Sequence, residues 1–141
     1  MIAVVDASVA VRWFLSFTPD EHDGHAALDI LDKAVQGRVK LWQPPHFVAE
    51  VTSLLARLKP EEALLDVRDL LDLDFEQLDD AEVYAHGTEM AIRLDHHLFD
   101  TLYHAVALSA PAATLITADR HYYRKARGLG RIELLEHWAG P

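Results

Sequence analysis

The sequence contains no cysteine, and only six of its 141 residues are glycine and six are proline. Without cysteine, neither a disulfide framework nor a thiolate zinc site can form, and folding does not depend on an oxidising compartment. No segment rich in glycine, serine or proline divides the chain. At this length we therefore expect one domain that spans residues 1–141.

Long apolar runs are also missing. The apolar stretch at 2–5 ends at Asp6, and Arg12 interrupts the next one. The chain therefore has neither the apolar core of a signal peptide nor the roughly 20 apolar residues that a membrane-spanning helix needs. We expect no membrane insertion, no secretion and a cytoplasmic location.

Basic residues are scarce, since 13 lysines and arginines stand against 23 acids and the net charge is −10. This balance argues against binding nucleic acid through a generally basic surface. Eleven of the acids fall between Glu61 and Glu89, where we interpret them as a solvated helix face. Five basic residues gather near the C-terminus: Arg120, Arg124, Lys125, Arg127 and Arg131. Such a patch either contacts phosphates beside an acidic site or is simply a charged helix end.

Short apolar strands alternate with amphipathic helical segments along the chain. The pattern predicts strands at 2–5, 39–42, 73–78, 114–117 and 131–135. It predicts helices at 8–15, 24–36, 61–71, 79–94, 98–109 and 120–127, and one that opens at the two prolines 44–45. Apolar strands joined by helices predict an α/β fold, a three-layer α/β/α sandwich with a mostly parallel sheet of four to five strands.

Four carboxylates are predicted to meet at one edge of this sheet. Asp6 directly follows the first strand, and Asp119 lies two residues after the end of another at Thr117. Asp100 begins a helix of roughly 15 Å, and the strand of roughly 13 Å that follows returns the chain to the same edge. Glu50 lies in the second turn of the helix that begins just after the second strand. The carboxyl ends of parallel strands share an edge, so the four acids converge there.

Glu50 is the acid that a purely structural role explains least well. Each aspartate, taken alone, is equally well explained as a helix cap. Glu50 instead lies three residues after Phe47 and four before Leu54, on the apolar stripe of its helix. A carboxylate packed there needs a partner, and the nearest arginine along the helix, Arg57, is two turns away. A cation bound between the acids would explain all four.

Oxygen-only ligands of this kind suit Mg²⁺ or Mn²⁺. Such an ion has three uses in phosphodiester hydrolysis: it lowers the pKa of water, neutralises charge on the phosphate oxygens and orients the leaving 3′-oxygen. One ion can serve these uses, or two ions about 4 Å apart can divide them. The acids therefore indicate metal-dependent cleavage of phosphodiester bonds.

The segments around these acids resemble those of the PIN domain, in particular VapC-like toxins of type II toxin–antitoxin systems. The matching segments are Val5-Asp6-Ala7-Ser8-Val9, the helix from Pro45 to Leu54 with Glu50-Val51, Phe99-Asp100-Thr101-Leu102-Tyr103, and Leu115-Ile116-Thr117-Ala118-Asp119-Arg120. These segments occur in the same order as in the family, and together they span nearly the whole chain. The resemblance implies a metal-dependent endoribonuclease that cuts RNA such as tRNA or rRNA, is restrained by a cognate antitoxin protein and forms a homodimer.

The resemblance also implies roles for individual residues. It makes four acids the catalytic and metal-binding site: Asp6, Glu50, Asp100 and Asp119. It adds Ser8 and Thr117 as supporting hydroxyls that bond a carboxylate, a water or a phosphate, although Ser8 is equally well explained as a helix cap.

Several basic residues near the acids are candidates for supporting roles. His104 departs from the family pattern, in which a small or apolar residue is common at this place. It lies one turn from Asp100, so it can bond that carboxylate or act in proton transfer, and we favour a structural or supporting role. His46 has the same relation to Glu50 and receives the same interpretation. His96-His97 precede Asp100 and could contact substrate, but exposed loop histidines usually have no specific role, and we interpret them so. Three arginines are candidates for phosphate contact: Arg12, Arg120 and Arg124.

Two other functions stay open. A phosphoacceptor receiver module also gathers acids around Mg²⁺ at the edge of a parallel sheet, but it needs a lysine after a late strand. Lys125, inside the last helical segment, is poorly placed for that role. A non-catalytic PIN-fold module that binds RNA or protein is the other alternative, and the presence of all four acids argues against it.

Overall fold

Five strands and seven α-helices alternate along the chain in the computed structural model, which describes residues 1–141. The strands are β1 (Ile2–Val5), β2 (Lys40–Gln43), β3 (Phe75–Gln77), β4 (Ala113–Thr117) and β5 (Ile132–Leu134). The helices are α1 (Ala7–Ala10), α2 (His22–Val35), α3 (Phe47–Leu58), α4 (Ala63–Asp72), α5 (Ala81–Leu94), α6 (Leu98–Ser109) and α7 (Arg120–Ala126). No helix combines the length and the apolar composition needed to span a bilayer.

The strands form one fully parallel sheet in the order β3-β2-β1-β4-β5. The α/β/α sandwich and its five-stranded parallel sheet, both predicted from the sequence, are confirmed. Strand β1 lies in the middle, with Ile2 opposite Lys40 of β2 and Ala113 of β4. The chain leaves β1 toward β2 on one side and returns to β4 on the other. The carboxyl ends of β1 and β4 therefore form the switch point at which open α/β sheets place their ligands.

Helix α6 is the most buried helix of the fold. It packs against β1, β2 and β4, and every residue from Thr101 to Ala107 is buried. A helix with apolar residues on all sides is expected in such a place. Its first turn, which contains Asp100, emerges from this packing at the edge of the sheet where β1 ends.

The first helical segment differs from the sequence expectation. The sequence predicts one helix at 8–15, whereas α1 ends at Ala10 and the chain continues as a 3₁₀ helix, Val11–Phe14. Within this tighter turn the Trp13 indole N–H donates to the Ala27 carbonyl at 2.9 Å. This contact with α2 is a tertiary one, and the local pattern of the sequence contains no sign of it.

Candidate active site

Asp6 lies at the carboxyl end of β1 and caps α1, accepting a hydrogen bond from the Val9 N–H at 3.3 Å. The hydroxyls of Ser8 and Thr117 donate to its two carboxylate oxygens. The residue is 9% exposed. Burial raises the pKa of Asp6 to about 6, the hydroxyl hydrogen bonds oppose that rise, and the negative charge of Asp100 adds to it.

The two hydroxyls also tie Asp6 to the loop after β4. Ser8 Oγ accepts from the Ala118 N–H at 3.1 Å, and Thr117 Oγ1 accepts from the Asp119 N–H at 2.9 Å. Asp119 itself caps α7, its Oδ1 accepting from the Tyr122 N–H at 3.0 Å. The predicted supporting hydroxyls therefore contact the first acid, and Asp119 lies at the same sheet edge one loop away.

Glu50 lies in the first turn of α3, with its side chain 31% exposed. Burial, together with the negative charges of Asp100 and Asp6, raises the pKa of Glu50 to about 7. Glu50 therefore lies near enough to Asp6 and Asp100 for their charges to act on it. His46, one turn before Glu50, lies beside it as its spacing allows, with His46 Nε2 3.5 Å from the Glu50 carboxylate.

His46 does not neutralise Glu50. Burial lowers the pKa of His46, so its ring is neutral at neutral pH. Its Nε2 lies 2.7 Å from the Phe99 carbonyl, a distance at which a neutral N–H donates to that oxygen. Glu50 therefore keeps its charge or takes up a proton; it does not form an ion pair.

Asp100 receives its hydrogen bond from a histidine that sequence reasoning set aside. His96 Nε2 lies 2.6 Å from Asp100 Oδ2, and the His96 side chain is only 6% exposed. On the other side of the ring, Nδ1 lies 3.3 Å from Lys125 Nζ. Because an ammonium only donates, Nδ1 accepts and the Nε2–H donates to Asp100. The spacing of four residues between His96 and Asp100 was a usable signal.

His104, also four residues from Asp100, is turned the other way. Its Nδ1 lies 3.0 Å from the Tyr122 hydroxyl and its Nε2 lies 2.8 Å from the Gly130 carbonyl. The ring is fully buried, and burial lowers the pKa of His104. His104 does not bond Asp100, because α6 directs this side chain into the core, where both ring nitrogens have partners.

Tyr103 is a further residue that sequence reasoning missed. It is fully buried, three residues after Asp100, and its ring lies 4.7 Å from that of His46. The hydroxyl is close enough to lower the pKa of Glu50, yet it forms no hydrogen bond of normal length and angle. Burial and the three nearby carboxylates raise the pKa of Tyr103, so the phenol keeps its proton. An unpaired O–H donor therefore faces the acids.

None of the three predicted arginines forms an ion pair with the acids. Arg120 pairs with Glu136 on the surface, and Arg124 is exposed on α7. Arg12 is half-buried, and its Nε is buried without a partner. No lysine or arginine nitrogen lies within 4.0 Å of any of the four site carboxylates. The negative charge of the site is therefore not balanced by the protein.

The donor set suits a hard divalent cation. It consists of carboxylates that follow β1 and β4 or lie in α3 and α6, and of one hydroxyl each from α1 and β4. Its negative charges raise the pKa of Asp6 and Glu50. No three acidic or histidine side chains are close enough together to hold an ion by themselves. Mg²⁺ does not require such a cage, because it usually keeps several waters and binds one or two carboxylates together with substrate phosphates. The residues present therefore fit Mg²⁺ or Mn²⁺.

His104→Leu is expected to lower the free energy of unfolding by about 1–3 kcal/mol, because the Gly130 carbonyl and Tyr122 hydroxyl lose their buried partner. Any RNA cleavage per folded molecule is expected to stay unchanged. Urea unfolding and a cleavage assay measure the two effects. His86→Leu, at an exposed position of α5, is the matched control. A large loss of cleavage in folded His104→Leu protein would assign His104 to the chemistry instead.

The model of the PIN domain family matches residues 3–128. Among solved structures, the chain is similar to one described as VapBC2 from Rickettsia felis bound to a DNA fragment from their promoter. The identity is 19%, the match covers 95% of this chain and 98% of the other, and the TM-score is 0.64. PAE2754 from Pyrobaculum aerophilum is 22% identical, with 96% and 93% covered and a TM-score of 0.62. A comparison with curated proteins finds no match. At these identities the likeness to solved structures establishes the fold alone.

Proposed function

The chain belongs to the PIN-domain family, and from this premise we propose that it is a Mg²⁺- or Mn²⁺-dependent endoribonuclease that hydrolyses phosphodiester bonds in RNA. PIN domains are generally nucleases that use a divalent metal. Membership in this family also removes the receiver-module alternative. One observation supports the proposal most: Asp6, Glu50 and Asp100 lie near enough to one another for negative charge to raise the pKa of Asp6 and Glu50, and no lysine or arginine nitrogen lies within 4.0 Å of them.

Asp6, Glu50 and Asp100 would hold the cation, with Asp119 at the same edge. A bound ion would acidify a water and offset negative charge on the phosphate. The Ser8 and Thr117 hydroxyls fix the direction of both Asp6 oxygens, and His96 does the same for one oxygen of Asp100. Without a cation the carboxylates would repel an RNA phosphate, so a bound metal would strengthen substrate binding at this place.

The role as the toxin of a toxin–antitoxin pair rests on the resemblance of the four motifs and on the fold shared with the VapBC2 structure. On this view the chain binds a cognate antitoxin and forms a homodimer. Purification from its native host is expected to recover a small partner protein with it. Recovery of the chain alone, together with harmless expression in the absence of any partner, would contradict the toxin role.

Metal removal is expected to abolish cleavage. With total cellular RNA, the protein should generate new RNA ends in Mg²⁺ or Mn²⁺ and none in excess EDTA, and added Mg²⁺ should restore the activity. Mapping the ends by sequencing identifies the RNA, with tRNA and rRNA as the expected substrates. Cleavage that persists in EDTA after removal of contaminating nucleases would rule out the proposed chemistry.

A non-catalytic PIN-fold module that binds RNA or protein is the second candidate. It is favoured by the lack of any three side chains placed to hold a metal ion. Folded protein that binds RNA but cuts none of it in Mg²⁺ or Mn²⁺ would support this candidate over the nuclease.

A further inference from the structure

We propose that a cavity beside Asp100 binds a backbone phosphate of the RNA strand next to the phosphate that is cut. The inference rests on the proposed function, because it assumes an RNA substrate. The cavity has a volume of about 340 Å³ and is called the phosphate pocket below. Its lining residues are Asp95, His96, His97, His121 and Lys125.

The pocket contains a lysine whose charge is not neutralised. Lys125 Nζ donates to the Asp95 carbonyl at 3.0 Å and lies 3.3 Å from His96 Nδ1. Both partners are uncharged acceptors, and no carboxylate oxygen lies within 4.0 Å of the ammonium. By contrast, Lys33 and Lys59 each form ion pairs. In a chain with a net charge of −10, Lys125 is therefore an available cation for an anionic ligand.

The other pocket residues are donors and acceptors, with no apolar side chain among them. Two imidazoles, those of His97 and His121, can each donate to a phosphate oxygen, whereas the His96 N–H already donates to Asp100. Asp95 is the unfavourable member, since its exposed carboxylate also faces the pocket. A metal ion is a poor occupant, because the ammonium beside His96 would repel it and no three ligands are arranged to bind one. The lining favours an anion with several acceptor oxygens.

The two walls of the pocket are fixed by the backbone. Helix α5 ends at Asp95 in the left-handed conformation (φ 48°), and the His96 N–H donates to the Ala91 carbonyl at 3.0 Å. On the opposite wall, His121 and Lys125 are four residues apart on α7 and so share one face. The His96 ring packs between the walls, 5.8 Å from His121. The donors are thus positioned before any ligand arrives.

The pocket adjoins the acidic site, with the His96 ring between them. His96 lines it with one side of its ring and bonds Asp100 at 2.6 Å with the other. Helix α7, which supplies Lys125, begins directly after Asp119. A strand with one phosphate at the acids therefore has a neighbouring phosphate within reach of Lys125. This contact attracts the strand to a site that would otherwise repel it.

The test is RNA binding without cleavage. A fluorescently labelled single-stranded RNA oligonucleotide is titrated with the protein in EDTA at several salt concentrations. Lys125→Ala is expected to weaken binding about fivefold to tenfold and to reduce the slope of log affinity against log salt by about 0.7, the value for one lost phosphate contact on a single strand. Lys125→Arg is expected to retain the slope. Lys40→Ala, at the amino end of β2 and thus at the opposite edge of the sheet, removes the same charge and should change neither quantity.

Cleavage by the Lys125→Ala variant in Mg²⁺ is expected to show a raised KM with kcat retained. If the wild-type protein cuts RNA and Lys125→Ala has the same affinity and salt slope as the wild type, the proposal of a phosphate pocket is wrong and the proposed nuclease function stands. A weaker affinity with an unchanged slope would also count against it, because loss of the His96–Asp100 geometry alone gives that result. If the wild-type protein neither binds nor cuts RNA, both the proposed function and this inference fail.

Discussion

Asp6→Asn and Asp119→Asn are each expected to lower the rate of metal-dependent RNA cleavage by about 100-fold or more and to leave the fold intact. Each variant removes one negative charge from the group that would hold the cation. Charge stabilisation by a bound metal amounts to several kcal/mol, and each 1.4 kcal/mol corresponds to about a tenfold change in rate. A loss of at least two orders of magnitude follows.

The asparagine variants keep the local structure because an amide can replace most of the hydrogen bonds that the carboxylate makes. Asparagine at 119 still accepts from the Tyr122 N–H, since asparagine caps helices about as well as aspartate. Asparagine at 6 accepts from the Val9 N–H, and the rotatable hydroxyls of Ser8 and Thr117 can adjust to the amide. A loss of activity would therefore not result from unfolding.

Asp80→Asn is the matched control for both variants. Asp80 caps α5 and accepts from the Val83 N–H at 3.0 Å, just as Asp119 caps α7, but it is exposed and follows the edge strand β3. Single-turnover cleavage in Mg²⁺ and circular dichroism of all three variants give rate and fold together. Asp80→Asn should cut at the wild-type rate, and an undiminished rate in Asp6→Asn or Asp119→Asn would contradict the proposed site.

The acids could be located from the sequence because their positions depend on backbone topology. An acid directly after a parallel strand lies at the carboxyl edge whatever its side chain does, as with Asp6. The position of Asp100 follows from the lengths of α6 and β4, because the helix leads away from the carboxyl edge of the sheet and the strand returns to it. Helix–strand alternation was enough to place both, and the resulting electrostatic effects on Glu50 are consistent with that placement.

The supporting residues could not be located in the same way, because they depend on the direction of each side chain. His96 and His104 are both four residues from Asp100, and spacing alone treats them as equals. The core lies on the His104 side, where Tyr122 and Gly130 bind its ring, whereas His96 lies in the loop before α6 and turns to the carboxylate. Lys125 was judged by its position in the last helix, and its contact with His96 joins residues 29 apart in the sequence.

The metal-free protein is expected to gain stability when Asp6 is replaced by asparagine, with the gain largest above pH 7. Burial raises the pKa of Asp6 from 3.8 to about 6, so folding favours the protonated carboxyl. Between about pH 4 and 6 the unfolded chain has released this proton and the folded chain still holds it, so stability falls as pH rises through this range. Above about pH 6 the charged Asp6 carboxylate lowers the free energy of unfolding by its full amount. At 1.36 kcal/mol for each pKa unit, this amount is at most about 3 kcal/mol.

Glu50→Gln is expected to act in the same direction over a higher range, because the pKa of Glu50 is raised from 4.5 to about 7. Its effect should be smaller, since solvent screens a side chain that is 31% exposed. The two gains should not add, because the negative charge of Asp6 contributes to the raised pKa of Glu50. Urea unfolding in EDTA at pH 5, 6, 7 and 8 measures the difference between each variant and the wild type.

The difference between variant and wild type is the quantity to compare, because Asp20 and Asp29 have lowered pKa values and contribute stability that is lost as pH falls. Asp80→Asn again serves as the control and should show no such pH-dependent gain. Mg²⁺ should stabilise the wild type at pH 8 and have less effect on Asp6→Asn, because an ion that binds only the folded state adds its binding free energy to folding. A gain in Asp6→Asn that is equal at pH 5 and pH 8, or absent, would mean that folding does not raise the pKa of Asp6. The electrostatic argument for a cation at this edge would then fail, whatever the cleavage assay shows.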